Sequence, residues 1–173
     1  MRDYFVETER IGFSLWTHKD YDLALLLWGD EIVTKYISNN GKFTDKEIYE
    51  RLDTEIKNNE SFCVQYWPIF EKVTGDFIGC CGLRPYRVEG NIYEIGFHLR
   101  AEYWGKGFAS EAARAVIGYA FDKLNASELF AGHNPGNLDS KRILEKLGFK
   151  YIGDEYYEPT GLYHPSYKYS FHK

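Results

Sequence analysis

Two glycines one residue apart stand where a strand-like pattern gives way to a helical one. The segment reads Glu94-Ile95-Gly96-Phe97-His98-Leu99, then Arg100 to Tyr103, then Trp104-Gly105-Lys106-Gly107-Phe108-Ala109-Ser110-Glu111-Ala112. Small residues in a tight turn let backbone approach a ligand closely. The first N–H groups of the helix behind the turn have no helical acceptor, and the helix dipole places partial positive charge there. Turn and helix start together suit a phosphate or pyrophosphate. Lys106 adds a positive charge, and Glu111 is a favourable first-turn carboxylate. The spacing is neither the P-loop pattern nor the three-glycine dinucleotide fingerprint. A tight turn that merely uses glycine accounts for these residues equally well.

Positioning such a turn requires a strand before it and a long helix after it. Strand alternation over Asn91 to Leu99 puts Ile92, Glu94 and His98 on one face, with Tyr93, Ile95, Phe97 and Leu99 on the other. Phe108, Ala112, Val116, Ala120 and Leu124 then recur every four residues, which predicts an amphipathic helix. Upstream, Thr8 to Trp16 reads as a strand, and Asp20 caps a helix to about Trp28. Thr44 and Glu47 form a capping-box pattern ahead of Ile48, Leu52 and Ile56, with Asn58 and Asn59 as the stop. Ser61 to Phe70 and Phe77 to Leu83 are strands around a turn at 73–76, and Arg84 to Gly90 is a polar loop. Downstream, Ser127 to Ala131 is a short strand. Ser140 to Leu147 is a helix ended by Gly148, with Asp139 and Ser140 competing to cap it. Phe149 to Tyr157 and Leu162 to Phe171 close as a hairpin. The expected order is β-α-α-β-β-β-α-β-α-β-β: an α/β (α+β) fold, about seven strands in a mixed, mostly antiparallel sheet with about four helices.

The chain has 173 residues, enough for one sizeable core, and no linker or repeat divides it. We expect one domain over 1–173. Apolar residues at 44% and charged residues at 27% exclude a disordered chain. A net charge of -5 argues against nucleic acid as partner and mildly favours a cationic one. No apolar run is long enough to cross a membrane, and the opening residues are not patterned as a secretory signal. Cys63, Cys80 and Cys81 show no metal-binding spacing and read as reduced thiols, which implies a cytoplasmic location and no metal. Glu47, Glu50, Asp53 and Glu55 read as one solvated helix face. Aromatic residues are plentiful, with 15 Tyr, 12 Phe and 4 Trp, and most belong to a bulky core and half-exposed strands. An edge strand of the Tyr-rich closing hairpin could pair across a homodimer.

The turn resembles the acetyl-CoA motif of the GNAT acetyltransferase superfamily, Gln/Arg-x-x-Gly-x-Gly/Ala. Here Trp104 stands at its first position. Asn137-Leu138-Asp139-Ser140 followed by Ile-Leu-Glu-Lys-Leu-Gly-Phe is similar to that family's second motif. The chain's two ends are similar to the branch of ribosomal-protein N-terminal (RimJ/RimL-type) acetyltransferases. The resemblance runs over nearly the whole chain and implies transfer of acetyl from acetyl-CoA to a primary amine, on a small molecule or a peptide. It implies that the amides of Trp104, Gly105, Lys106, Gly107, Phe108 and Ala109 cradle the pyrophosphate. It also implies that the backbone of Phe97 and Leu99 pairs with the pantetheine arm, and that Asn137 holds it from the other side. Ser140 resembles the serine placed near the CoA sulfur; its plain alternative is a helix cap.

Such a reaction needs a neutral amine, so a group must take its proton. Glu94 is the first candidate, directly or through a water, and His98 the second. An exposed carboxylate on a solvated strand is the plain alternative for Glu94, and a strand-end hydrogen bond for His98. Two further functions fit the residues less well. One is an inactive CoA-binding sensor or interaction module, and the other a protein that uses the turn for a different nucleotide.

Overall fold

The structure is a computed structural model and describes residues 2–171. Along the chain come β1 (Val6–Glu7), β2 (Ile11–Phe13), α1 (Tyr21–Trp28), α2 (Glu31–Thr34) and α3 (Asp45–Phe62). A meander of β3 (Tyr66–Glu71), β4 (Phe77–Arg87) and β5 (Ile92–Leu99) is next. Then come α4 (Phe108–Lys123), β6 (Glu128–Gly132), α5 (Leu138–Leu147), β7 (Lys150–Tyr157) and β8 (Leu162–Tyr169). All eight strands form one sheet in the order β1-β2-β3-β4-β5-β6-β8-β7. β5 and β6 are parallel, joined by the α4 crossover, and the other described pairs are antiparallel.

The expected fold class holds, with local corrections. The strand expected over Thr8 to Trp16 is confined to Ile11–Phe13, with a further short strand at Val6–Glu7 ahead of it, because the chain turns at Thr8, where Ile11 N donates to Thr8 Oγ1. Asp30 caps the extra helix α2 by accepting from Ile32 N. Asn58 and Asn59 do not stop α3. Its last turn closes at Cys63, which sits at φ 58 and donates its N–H to the Asn59 carbonyl. The next strand therefore begins at Tyr66 rather than Ser61. Arg84 to Arg87 is not loop, because its backbone pairs with β5 and puts Arg84 opposite Glu94. Neither Asp139 nor Ser140 caps α5: Asn137 Oδ1 accepts from Ser140 N, so the helix starts at Leu138.

Each face of the sheet carries its own core. Ile11, Trp67, Ile78, Ile95, Leu99 and Leu129 pack under α4 and α5 with Phe108, Ala112 and Leu144. Trp28, Leu27, Ile48 and Leu52 of α1 and α3 pack on Tyr66, Phe77 and Cys80 of the opposite face. Burying one such large side chain stabilises by roughly 1.5–3 kcal/mol. β5 thus separates two cores, with Ile95 and Leu99 on one side and Glu94 and His98 on the other.

The sheet is irregular between two of its central strands. β5 pairs with β6 only from Ile92 to Glu94, opposite Glu128 to Phe130. Beyond Glu94 the two strands part, while β5 stays paired with β4 as far as Leu99 opposite Gly79. Arg100 N donates to Ile78 O, and Leu83 N to Gln65 O. Counting the antiparallel alternation from those bonds, Phe97 and Leu99 aim their backbone N–H and C=O away from β4, into the gap.

Candidate active site

The glycine turn is a helix start open to a cavity. Gly105 and Gly107 have φ values of 70 and 81, and Gly107 is the N-cap of α4. Only glycine adopts these angles without strain. The first helical bond runs from Glu111 N to Gly107 O, so the N–H groups of Phe108, Ala109 and Ser110 precede any helical partner. Glu111 does more than occupy a first turn. It accepts from Thr8 Oγ1 at 2.6 Å, Arg10 N at 3.0 Å and Arg10 Nε at 2.7 Å. Partial burial raises its pKa, but these bonds outweigh that and lower it. The Arg10 guanidinium lies over the Phe108 ring and donates to the Lys106 carbonyl. β1–β2 is thereby tied to the turn. The Lys106 ammonium lies over Tyr103.

A cavity of about 460 Å³ opens on this turn. Trp104, Gly105, Gly107, Phe108 and Ala109 line it, together with Phe97, His98 and Leu99 of β5 and Asn137 and Ser140 of α5. A second cavity, of about 290 Å³, lies toward β7 and β8 and is lined by Glu94, Arg51, Arg84 and Tyr66. Phe97, His98, Asn137 and Ser140 line both. The cavities therefore meet in the gap between β5 and β6. The Leu99 carbonyl there already accepts from Trp104 Nε1 at 2.8 Å.

Glu94 stands in the smaller cavity. Its Oε1 accepts from the Tyr66 hydroxyl at 3.1 Å. Gly96 permits this contact, because a Cβ there would overlap the Tyr66 ring. Burial raises the Glu94 pKa, and Arg84 and the Tyr66 hydrogen bond only partly offset it. His98 is different. Its Nδ1 faces Trp28 Nε1 at 3.2 Å, so it accepts that indole proton and the ring's own proton belongs on Nε2. Burial first, then the charges of Arg51 and Arg84, hold its pKa well below the usual range. It is a neutral donor rather than a ready proton acceptor.

A family model described as an acetyltransferase (GNAT) domain matches residues 10–150. The chain belongs to the GNAT acetyltransferase family. It is 34% identical to an uncharacterized N-acetyltransferase, p20, of Bacillus licheniformis, over 84% of this chain and 82% of that one. A GNAT-family acetyltransferase from Bacillus anthracis superposes with a TM-score of 0.80 at 25% identity, covering 95% of this chain and 97% of the other. The fold is also that of RimL, a ribosomal L7/L12 alpha-N-protein acetyltransferase solved with coenzyme A. That match has a TM-score of 0.81 over 97% of this chain and 98% of that one, at 12% identity. The protein is accordingly an N-acetyltransferase, and the family uses acetyl-CoA.

In this GNAT fold the second motif brings Asn137 and Ser140 to the junction of the cavities. The Asn137 carbonyl oxygen is taken by its capping bond to Ser140 N, which leaves its amide donors. The Ser140 hydroxyl has no capping duty. Sequence reasoning missed a polar cluster beneath Glu94. Glu55 is not on a solvated face: it is fully buried, accepts from Tyr66 N at 2.7 Å and pairs with Arg84. The Arg84 guanidinium lies 4.1 Å over the Tyr66 ring. Glu55 falls one turn after Leu52 and two after Ile48 on the buried side of α3, and that periodicity was the available signal. Tyr66, Gly96 and Trp28 carried no local signal, because their partners are distant in sequence.

Proposed function

We propose that the protein transfers acetyl from acetyl-CoA directly to a primary amine bound in the smaller cavity. The observation that carries this reading is the junction. A cavity opening on a glycine turn and unpaired helix amides meets, in the β5–β6 gap, a cavity holding a carboxylate of raised pKa. The turn from Trp104 to Ala109 suits the pyrophosphate, because its amides and the dipole of α4 favour an anion. The pantetheine arm would add to β5 as a short strand at Phe97 and the Leu99 N–H, with the Asn137 amide opposite. Glu94 takes a proton from the ammonium, directly or through a water, and the neutral amine attacks the thioester carbonyl. A β5 N–H stabilises the resulting oxyanion. Collapse expels the thiolate, which the Ser140 hydroxyl meets as donor. His98, with Nδ1 occupied, orients groups at the junction rather than serving as base. The free thiols at Cys63, Cys80 and Cys81 support a reducing compartment such as the cytoplasm.

Thermal melting with acetyl-CoA, CoA, ATP and NAD in parallel tests the cofactor half, because a ligand of the native state raises the melting temperature. We expect shifts with acetyl-CoA and CoA alone. An equal shift with ATP would point to a general nucleotide site. Thiol release in an amine screen tests the other half, and CoA binding without transfer to any amine would indicate a sensor.

A further inference from the structure

Arg51 projects from α3 into the smaller cavity, and among the described residues none hydrogen-bonds or ion-pairs its guanidinium. Its Cζ stands 5.1 Å from the Trp28 ring and 5.5 Å from the Phe43 ring. Aromatic faces attract the cation but do not satisfy its five donors. Its Nε is buried without a hydrogen-bond partner, as is that of Arg84. The nearby carboxylate is committed elsewhere: Glu55 accepts from Tyr66 N and pairs with Arg84. Among the described residues, no carboxylate lies within ion-pair distance of Arg51. Arg51 is half-buried with its Nε shut off from water; a guanidinium so placed gains from an anion, and this one lines a cavity large enough for a small ligand.

The unsatisfied charge lies on the acceptor side. Arg51 lines the cavity of Glu94 but not the cavity of the glycine turn. A phosphate of the cofactor bound at that turn would not answer it. The lining carries Arg51 and Arg84 together with Glu94 and Glu155, so a ligand with one charge of each sign matches it better than a polycation. An acceptor whose amine faces Glu94 and whose acid group faces Arg51 complements both ends.

Resting on the transferase reading above, we propose that Arg51 binds a carboxylate of the acceptor, and that the acceptor class is small amino acids. Arg51 is then the residue that selects an acid over its neutral analogue. The overall negative charge of the chain gives no hint of this, because the cavity's charged lining is balanced, Arg51 and Arg84 against Glu94 and Glu155.

The test compares the twenty L-amino acids with their amides and with the decarboxylated amines histamine, tyramine and cadaverine. Two readouts are used: thiol release from acetyl-CoA, and melting of the CoA-bound protein. We expect the best acid to exceed its own amide by about 10- to 100-fold in kcat/KM, the range for a charge-assisted contact. Arg51→Gln should collapse that ratio toward one, chiefly through KM for the acid, and Arg51→Lys should recover part of it. Loss of folding would lower acid and amide together and leave the ratio intact. If Arg51→Gln does not fold, Arg51→Lys and the wild-type ratio decide. An amine without a carboxylate, or an amide, as the best acceptor would overturn the proposal. So would a panel in which no acid turns over or raises the melting temperature. Acetyl-CoA alone raising the melting temperature in that case would leave the transferase reading standing.

Discussion

At the residue scale, Glu94 as the proposed base should govern both rate and stability. Burial makes Glu94 a stronger proton acceptor than an ordinary carboxylate, and its protonated form is the one folding favours. The rate should therefore rise with pH through a value above the usual glutamate range. Glu94→Gln should lower kcat by roughly 100- to 1,000-fold and flatten that acid limb in a pH–rate profile. Stability changes with pH in the opposite sense. A raised folded pKa stabilises below the unfolded value, and that contribution is lost as pH rises through the folded value. Glu94→Gln should hence melt above wild type near pH 8, with the gap closing in acid; a mutant less stable at every pH would contradict the buried placement. Ser140→Ala makes a separate prediction. With the cap supplied by Asn137, losing the hydroxyl should spare the fold and lower kcat about 10- to 100-fold, with acetyl-CoA binding little changed by calorimetry. An unchanged kcat would leave Ser140 without a part in the chemistry.

At the element scale, the turn before α4 is a joint and the proposed binding surface. Gly107→Val forces a β-branched residue into φ 81 and brings its Cβ against the Arg10 guanidinium that braces the turn. We expect affinity for CoA to fall by more than about tenfold in a calorimetric titration. Glu111→Ala cuts three hydrogen bonds to Thr8 and Arg10. Denaturant melts should show a loss of about 1.5–3 kcal/mol. A loss within error would mean that β1–β2 is held by its apolar contacts alone. The difference between these two residues shows what could be read from sequence. The Gly105–Gly107 turn, the α4 periodicity and the Thr44–Glu47 capping box are local patterns, and each was legible. The bond from Glu111 to Arg10, the seat of Tyr66 on Gly96 and the pairing of Glu55 with Arg84 join residues far apart in the chain. Their chemistry exists only once the sheet order is fixed. The extension of β4 through Arg87 was hidden for a similar reason: its polar residues look like loop until β5 lies beside them.

At the scale of the whole molecule, the sheet is one continuous surface interrupted at one place, where β5 and β6 part beyond Glu94. The turn-side cavity reaches the surface past the exposed Trp104. The smaller one reaches it past the exposed Tyr156 and Tyr157. Two substrates can thus arrive by separate doors, and neither has to leave before the other enters. In kinetic terms this permits a ternary complex, in which the acetyl group has no need to wait on the protein. Double-reciprocal plots at several fixed acceptor concentrations should intersect. A family of parallel lines would mean that the interruption in the sheet does not serve as a common meeting place.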